Sequence, residues 1–196
     1  MSWIAEQNAL VGSLEGTDIA SVSAVEQAVI YADENGLPQF RDDRLPLVQC
    51  VFVELALRDG RFARFSKYQN DDVFGVALDF RTDTSVELHW NDAFRGGEPS
   101  IYRIAPDLGF PVGKIEGASS RLDRDGDISE IGLTISGRHV LLKAGEVYEG
   151  PDRTLTVSEM DECILFFADA ADVSRVPINP RGEWVRIVGP LNPKAT

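Results

Sequence analysis

From Pro46 onward the apolar residues fall largely on alternating positions. Val73 to Phe80 puts Phe74, Val76, Leu78 and Phe80 on one face. Val86, Leu88 and Trp90 alternate with Glu87 and His89, and Ile131, Leu133 and Ile135 with Gly132 and Thr134. A period of two marks strands with one buried face. Leu47 to Leu57 is apolar on both faces until Glu54, the pattern of a central strand covered on both sides. Asp59-Gly60 turns into Arg61 to Tyr68, and Asp125-Gly126 and Ser136-Gly137 are further turn signals. Strands are also expected over Ile101 to Ile104, from Ile115, around Val140 and Leu142, over Leu155 to Val157, over Ile164 to Phe167, and over Glu183 to Val188. About ten short strands at this spacing predict an antiparallel sandwich or barrel.

Upstream of Pro46 the pattern reads differently. Ser23-Ala24-Val25-Glu26 has capping-box spacing, with a serine placed to accept from an orphan amide and a glutamate placed to reach back. Val25, Ala28, Val29 and Ala32 would then share one helical face, and Gly36 and Pro38 would stop the helix. A helix over residues 20–35 is predicted, exposing Glu26, Gln27, Asp33 and Glu34. The fold class is therefore α+β, predominantly β, with one N-terminal helix. A chain of 196 residues is read as one domain, 1–196. The Pro/Gly-punctuated stretch near 106–113 is a subdomain junction between a helix-plus-strands half (1–106) and a second β half (113–196).

Composition is ordinary for a globular protein, with 43% hydrophobic and 26% charged residues. Charge is not ordinary. Thirty-two acids against 19 bases give −13. That argues against a nucleic-acid binder, which needs a basic footprint, and against docking on an anionic membrane. Residues 1–45 carry −6, 46–110 carry −3, 111–172 carry −7 and 173–196 carry +3. No apolar run is long enough to span a membrane, and no Lys or Arg precedes Arg41, so a cytoplasmic location is expected. Cys50 and Cys163 lie in apolar runs and read as reduced core thiols.

Candidate chemistry is sparse. Asp123, Asp125 and Asp127 begin like an EF-hand loop, and would supply oxygens if calcium bound. Ile128 stands where that loop needs glycine and Thr134 where it needs glutamate, so a hairpin turn is expected and no metal is assigned. Arg58, Arg61, Arg64 and Lys67, interleaved with Phe62, Phe65 and Tyr68, read as a hairpin face pairing with nearby carboxylates. His89 and His139 stand alone, without zinc spacing. Cys163 follows three acids within four residues, unfavourable for a thiolate. No cofactor motif is present in the sequence.

Ser158-Glu159-Met160-Asp161-Glu162 reads as an acidic loop. With Glu146 and Glu149, and with the helix-face acids Glu26, Asp33 and Glu34, it forms the candidate partner-binding set. Acids that cluster without a catalytic constellation favour a non-enzymatic domain that binds a basic protein. One concrete form is a bacterial immunity protein neutralising a basic toxin domain. The alternative is a small-molecule or sugar-binding β-barrel, lined by Phe74, Trp90, Phe94 and Tyr102, which could act as an enzyme through carboxylates. A third class is an edge-to-edge homo-oligomer.

Overall fold

The computed structural model describes residues 2–70, 73–83, 100–105 and 107–179. The strands predicted at 86–90 and 183–188 lie outside these residues, as do His89, Trp90, Phe94 and Pro106. A helix, α1 (Trp3–Gly12), precedes ten strands. These are β1 (Asp18–Gln27), β2 (Val48–Leu57), β3 (Phe62–Asn70), β4 (Val73–Arg81) and β5 (Tyr102–Ile104), then β6 (Gly113–Leu122), β7 (Ile128–Ile135), β8 (Arg138–Glu149), β9 (Leu155–Phe167) and β10 (Ile178–Asn179). The protein is α+β and predominantly β. Among the described residues no helix is long and apolar enough to cross a membrane.

Six strands close a ring. The ladder runs β9-β8-β7-β6-β1-β2, and β2 pairs β9 again. Two joins are short. β1 meets β6 through Asp18↔Lys114 and Ile19↔Gly113, and β2 meets β9 through Val48↔Phe166, Gln49↔Leu165 and Cys50↔Ile164. The β3–β4 hairpin continues from the other half of the same β2 edge. One apolar cluster draws residues from every ring strand, and Ala63, Phe65, Val76 and Leu78 of the hairpin join it. β7 buries Ile131, Leu133 and Ile135 and turns Gly132 and Thr134 outward, while β2 is buried on nearly every position, as their patterns indicate.

The segment 107–112 contributes to this cluster. Leu108 and Phe110 enter the shared cluster, and Phe110 stacks on Phe166 at 5.0 Å. α1 lies over β6 and β4. Glu15 accepts from the Ala118 amide, satisfying a β6 edge donor that has no strand beside it among the described residues.

Two elements depart from the sequence reading. Residues 20–35 are not a helix; they hold most of β1 and a turn. Glu26 does not cap Ser23. Its carboxylate lies fully buried between Arg41 (2.5 Å) and Arg103 (2.5 Å). β-branched Ile19, Val22 and Val25 suit a strand, and pairing to β2, β5 and β6 overrides the local capping pattern. The helix instead begins at Ser2, whose side chain accepts from the Ala5 amide.

The second departure is β9. Leu155–Val157 and Ile164–Phe167 belong to one strand, not two strands joined by an acidic loop. Along β8, Ala144 faces Ile164 and the next residue, Gly145, faces Glu159. Met160 to Cys163 therefore have no β8 partner and form a four-residue bulge. Met160 adopts φ +55°, a conformation L side chains rarely take. Gly145 is required opposite, because a Cβ there would lie 2.5 Å from the Ser158 carbonyl oxygen. Gly145→Ala is expected to cost about 2 kcal/mol or more in urea unfolding. An unchanged midpoint would contradict this close approach.

Candidate functional site

The bulge distributes the acidic segment to two sides. Asp161, Glu162 and Cys163 meet β1, β3 and β8. The Tyr148 hydroxyl lies 2.9 Å from Asp161 Oδ2 and 3.3 Å from Glu146 Oε2. Gln27 Nε2 donates to Glu146 Oε1 at 2.8 Å and to the Tyr31 hydroxyl at 3.1 Å, while Cys163 Sγ donates to Gln27 Oε1 at 3.2 Å. Lys67 pairs with Glu162 at 2.9 Å. The Tyr148 phenol carries one proton for two carboxyl oxygens.

The buried Glu146 differs from the buried Glu26 and Glu54. Glu26 has two arginines and Glu54 has Arg64 at 2.6 Å. Glu146 meets only neutral donors among the described residues, and its surroundings are acidic. Burial first, then the charge of Asp161, pushes its carboxyl above the usual carboxylate range. Burial first, then the charge of Glu146, raises the Tyr31 and Tyr148 hydroxyls and the Cys163 thiol, and burial, then Cys163 and Glu146, raises the Tyr102 hydroxyl.

Glu159 and Met160 line the other side. They border a cavity of about 280 Å³ together with Asp123, Asp125, Glu130, Lys143, Arg121 and Arg124, among others. Its floor holds Lys143, buried against Glu130 (2.8 Å) and Glu159 (3.4 Å). The 123–127 turn and the 158–162 segment, far apart in sequence, thus meet here. The cavity lining is nearly balanced in charge, whereas the Glu146 side is dominated by carboxylates.

The other candidates separate from this centre. Glu26 is locked in its arginine clamp and presents nothing outward. Asp33 and Glu34 sit in a turn, not on a helix. Asp33 Oδ1 accepts from the Asn35 (2.8 Å) and Leu37 (2.9 Å) amides, and these bonds, Leu37's first, hold its carboxyl below the usual range. Glu149 pairs with Arg153 at 3.3 Å. Asp123 Oδ1 accepts from the Asp125 and Asp127 amides, as in a hairpin turn, and Asp127 accepts from Tyr68 at 2.9 Å. No group of three or more His, Cys, Asp or Glu among the described residues is arranged to hold a metal.

The basic hairpin face pairs as its sequence indicated. Arg58 meets Asp18, Arg61 meets Asp59, Arg64 meets Glu54 and Lys67 meets Glu162. Cys50 and Cys163 are free and buried. His139 Nδ1 lies 2.9 Å from the Thr134 hydroxyl on an exposed strand face. Gln27, Tyr31 and Tyr148 were missed as site residues. A strand reading of residues 18–27 would have placed Gln27 beside β5, but nothing local points to Glu146, 119 positions away.

Comparison with protein-family models, curated proteins and solved structures yields no match.

The raised Glu146 carboxyl makes the fold bind a proton more tightly than the unfolded chain does. Its contribution to stability is full below about pH 4.3, the ordinary glutamate value. It is lost as pH rises through the folded-state value. Glu146→Gln should remove this component, so the stability of the variant relative to the native protein should climb between pH 4 and pH 8. Urea midpoints across that range check it, and parallel curves would contradict it.

Proposed function

We propose that this chain is a non-enzymatic domain that binds a basic protein, with its contact surface centred on the β9 bulge. The observation that carries the reading is the gathering of Glu146 and Asp161 on the Tyr148 hydroxyl beside Glu162, where Lys67, paired with Glu162, is the cation found among the described residues. Three tyrosines frame these acids: Tyr31, 51% exposed, and the partly buried Tyr102 and Tyr148. Tyrosine with unmatched carboxylate suits an incoming Arg or Lys, which gains charge pairing and ring contact together. Such a cation would relieve the repulsion between Glu146 and Asp161. Net charge of −13 would speed the encounter. A bacterial immunity protein that covers a basic toxin domain is one form such a partnership takes.

A second reading has one observation in its favour. Two carboxyl groups, one raised above the usual carboxylate range by burial, converge on one phenol, the raw material of acid–base catalysis. Against it, the ring interior is filled by side chains rather than opened for a substrate.

Nona-arginine, titrated into the 15N-labelled protein, tests the binding surface. Amide shifts should concentrate at residues 146–148 and 158–163. Affinity should fall at least tenfold between 20 and 200 mM salt, on the order expected for exposed charge pairing. Asp161→Asn with Glu162→Gln should weaken binding several-fold. Shifts scattered over the whole surface, or binding indifferent to salt, would contradict the assignment.

A further inference from the structure

A second surface, sharing no residue with the bulge, lies where α1 begins. Ser2, Trp3, Ile4, Tyr68, Gln69 and Asp127 line a cleft of about 500 Å³. That volume falls within the roughly 300–1,000 Å³ typical of small-ligand sites.

The Tyr68 ring is held firmly. A side chain at Gly75, its cross-strand partner, would collide with it, so the ring lies across bare backbone. Its hydroxyl donates to Asp127 Oδ1 at 2.9 Å and accepts from the Ile128 amide at 2.9 Å. Trp3 packs against it edge to face, centroids 4.4 Å apart at 61°, and still leaves 44% of the residue exposed. An indole exposed to this extent on a fixed aromatic support is a platform.

The polar groups around it offer both donors and acceptors. In the first turn of α1, Ala5's amide is taken by the Ser2 side chain and Glu6's by the Ser2 carbonyl. The Trp3 and Ile4 amides precede any intrahelical carbonyl they could reach. Asp127 supplies a carboxylate and Gln69 a planar amide at the same cleft. An anion suited to the helix amides would meet Asp127. A quaternary cation needs a box of ring faces, which an edge-to-face pair does not form. A pyranose meets each requirement: its C–H face lies flat on an indole, and each hydroxyl both donates and accepts.

We infer that the Trp3–Tyr68 cleft binds a neutral saccharide of one or two pyranose units. The inference is independent of the basic-partner reading, and either can fail alone.

The test is 1H–15N NMR of the intact protein titrated separately with maltose, cellobiose, lactose and chitobiose, each to 50 mM, with choline chloride and sodium phosphate as comparison probes. At least one disaccharide should give saturable shifts at the Trp3 indole N–H, the Ser2–Ala5 amides and Gln69. Trp3→Ala should weaken that binding at least tenfold. Should Trp3→Ala disturb α1, Gln69→Ala, at an exposed position, should weaken it about threefold with the fold intact. Four flat disaccharide titrations, saturation by choline or phosphate alone, or full affinity in the substituted proteins would overturn the inference.

Discussion

One edge of β9 must pair with two different neighbours. Near its start it lies beside β10, through Val157 and Ser158; near its end it closes the ring with β2, through Leu165 and the residues around it. The opposite edge pairs with β8 on both sides of Met160 to Cys163. Between these two neighbours the β8–β9 ladder breaks at the four residues Met160 to Cys163, and bulges bend and twist a strand in this way. Gly145 admits the close approach and Met160 absorbs the unusual backbone angle. Ring closure, the cavity beside Glu159 and the acidic cluster beside Asp161 all follow from this one irregularity.

Charge is handled differently on each side of it. Two other buried glutamates are neutralised by cations: Glu26 with two arginines and Glu54 with one. Burying an unpaired carboxylate is costly, and such groups respond by holding a proton. Burial and the charge of Asp161 push Glu146 in that direction. A carboxyl raised in this way beside a charged neighbour is poorly optimised for stability alone, which is why the proposed contact surface is placed there rather than at the more abundant exposed acids.

Much of the sheet was legible from residue order. β2, β3, β4 and β7 follow from apolar alternation and from Asp-Gly turns, with Gly60 at φ +89° where the turn requires it. The helix was misplaced for a specific reason. The buried positions of α1 are Gln7 and Val11, followed by Leu14 in the turn beyond it, and Gln7 is polar because its side chain accepts from the Leu78 amide at 2.8 Å. A polar residue at a buried position hides the periodicity, while Ser23 to Glu26 imitates a cap. The site was half legible. Asp161, Glu162 and Glu146 stood out as acids, but the bulge that sorts them is a break in the register of β8 against β9, which apolar alternation does not reveal.

The register of β8 against β9 is the most direct point of attack. Interstrand nuclear Overhauser contacts in the labelled protein should link Ala144 with Ile164 and Gly145 with Glu159, with the Tyr148 ring near Asp161. A continuous ladder, in which Gly145 faces Cys163 and Glu146 faces Glu162, would remove the bulge and contradict the account at its centre.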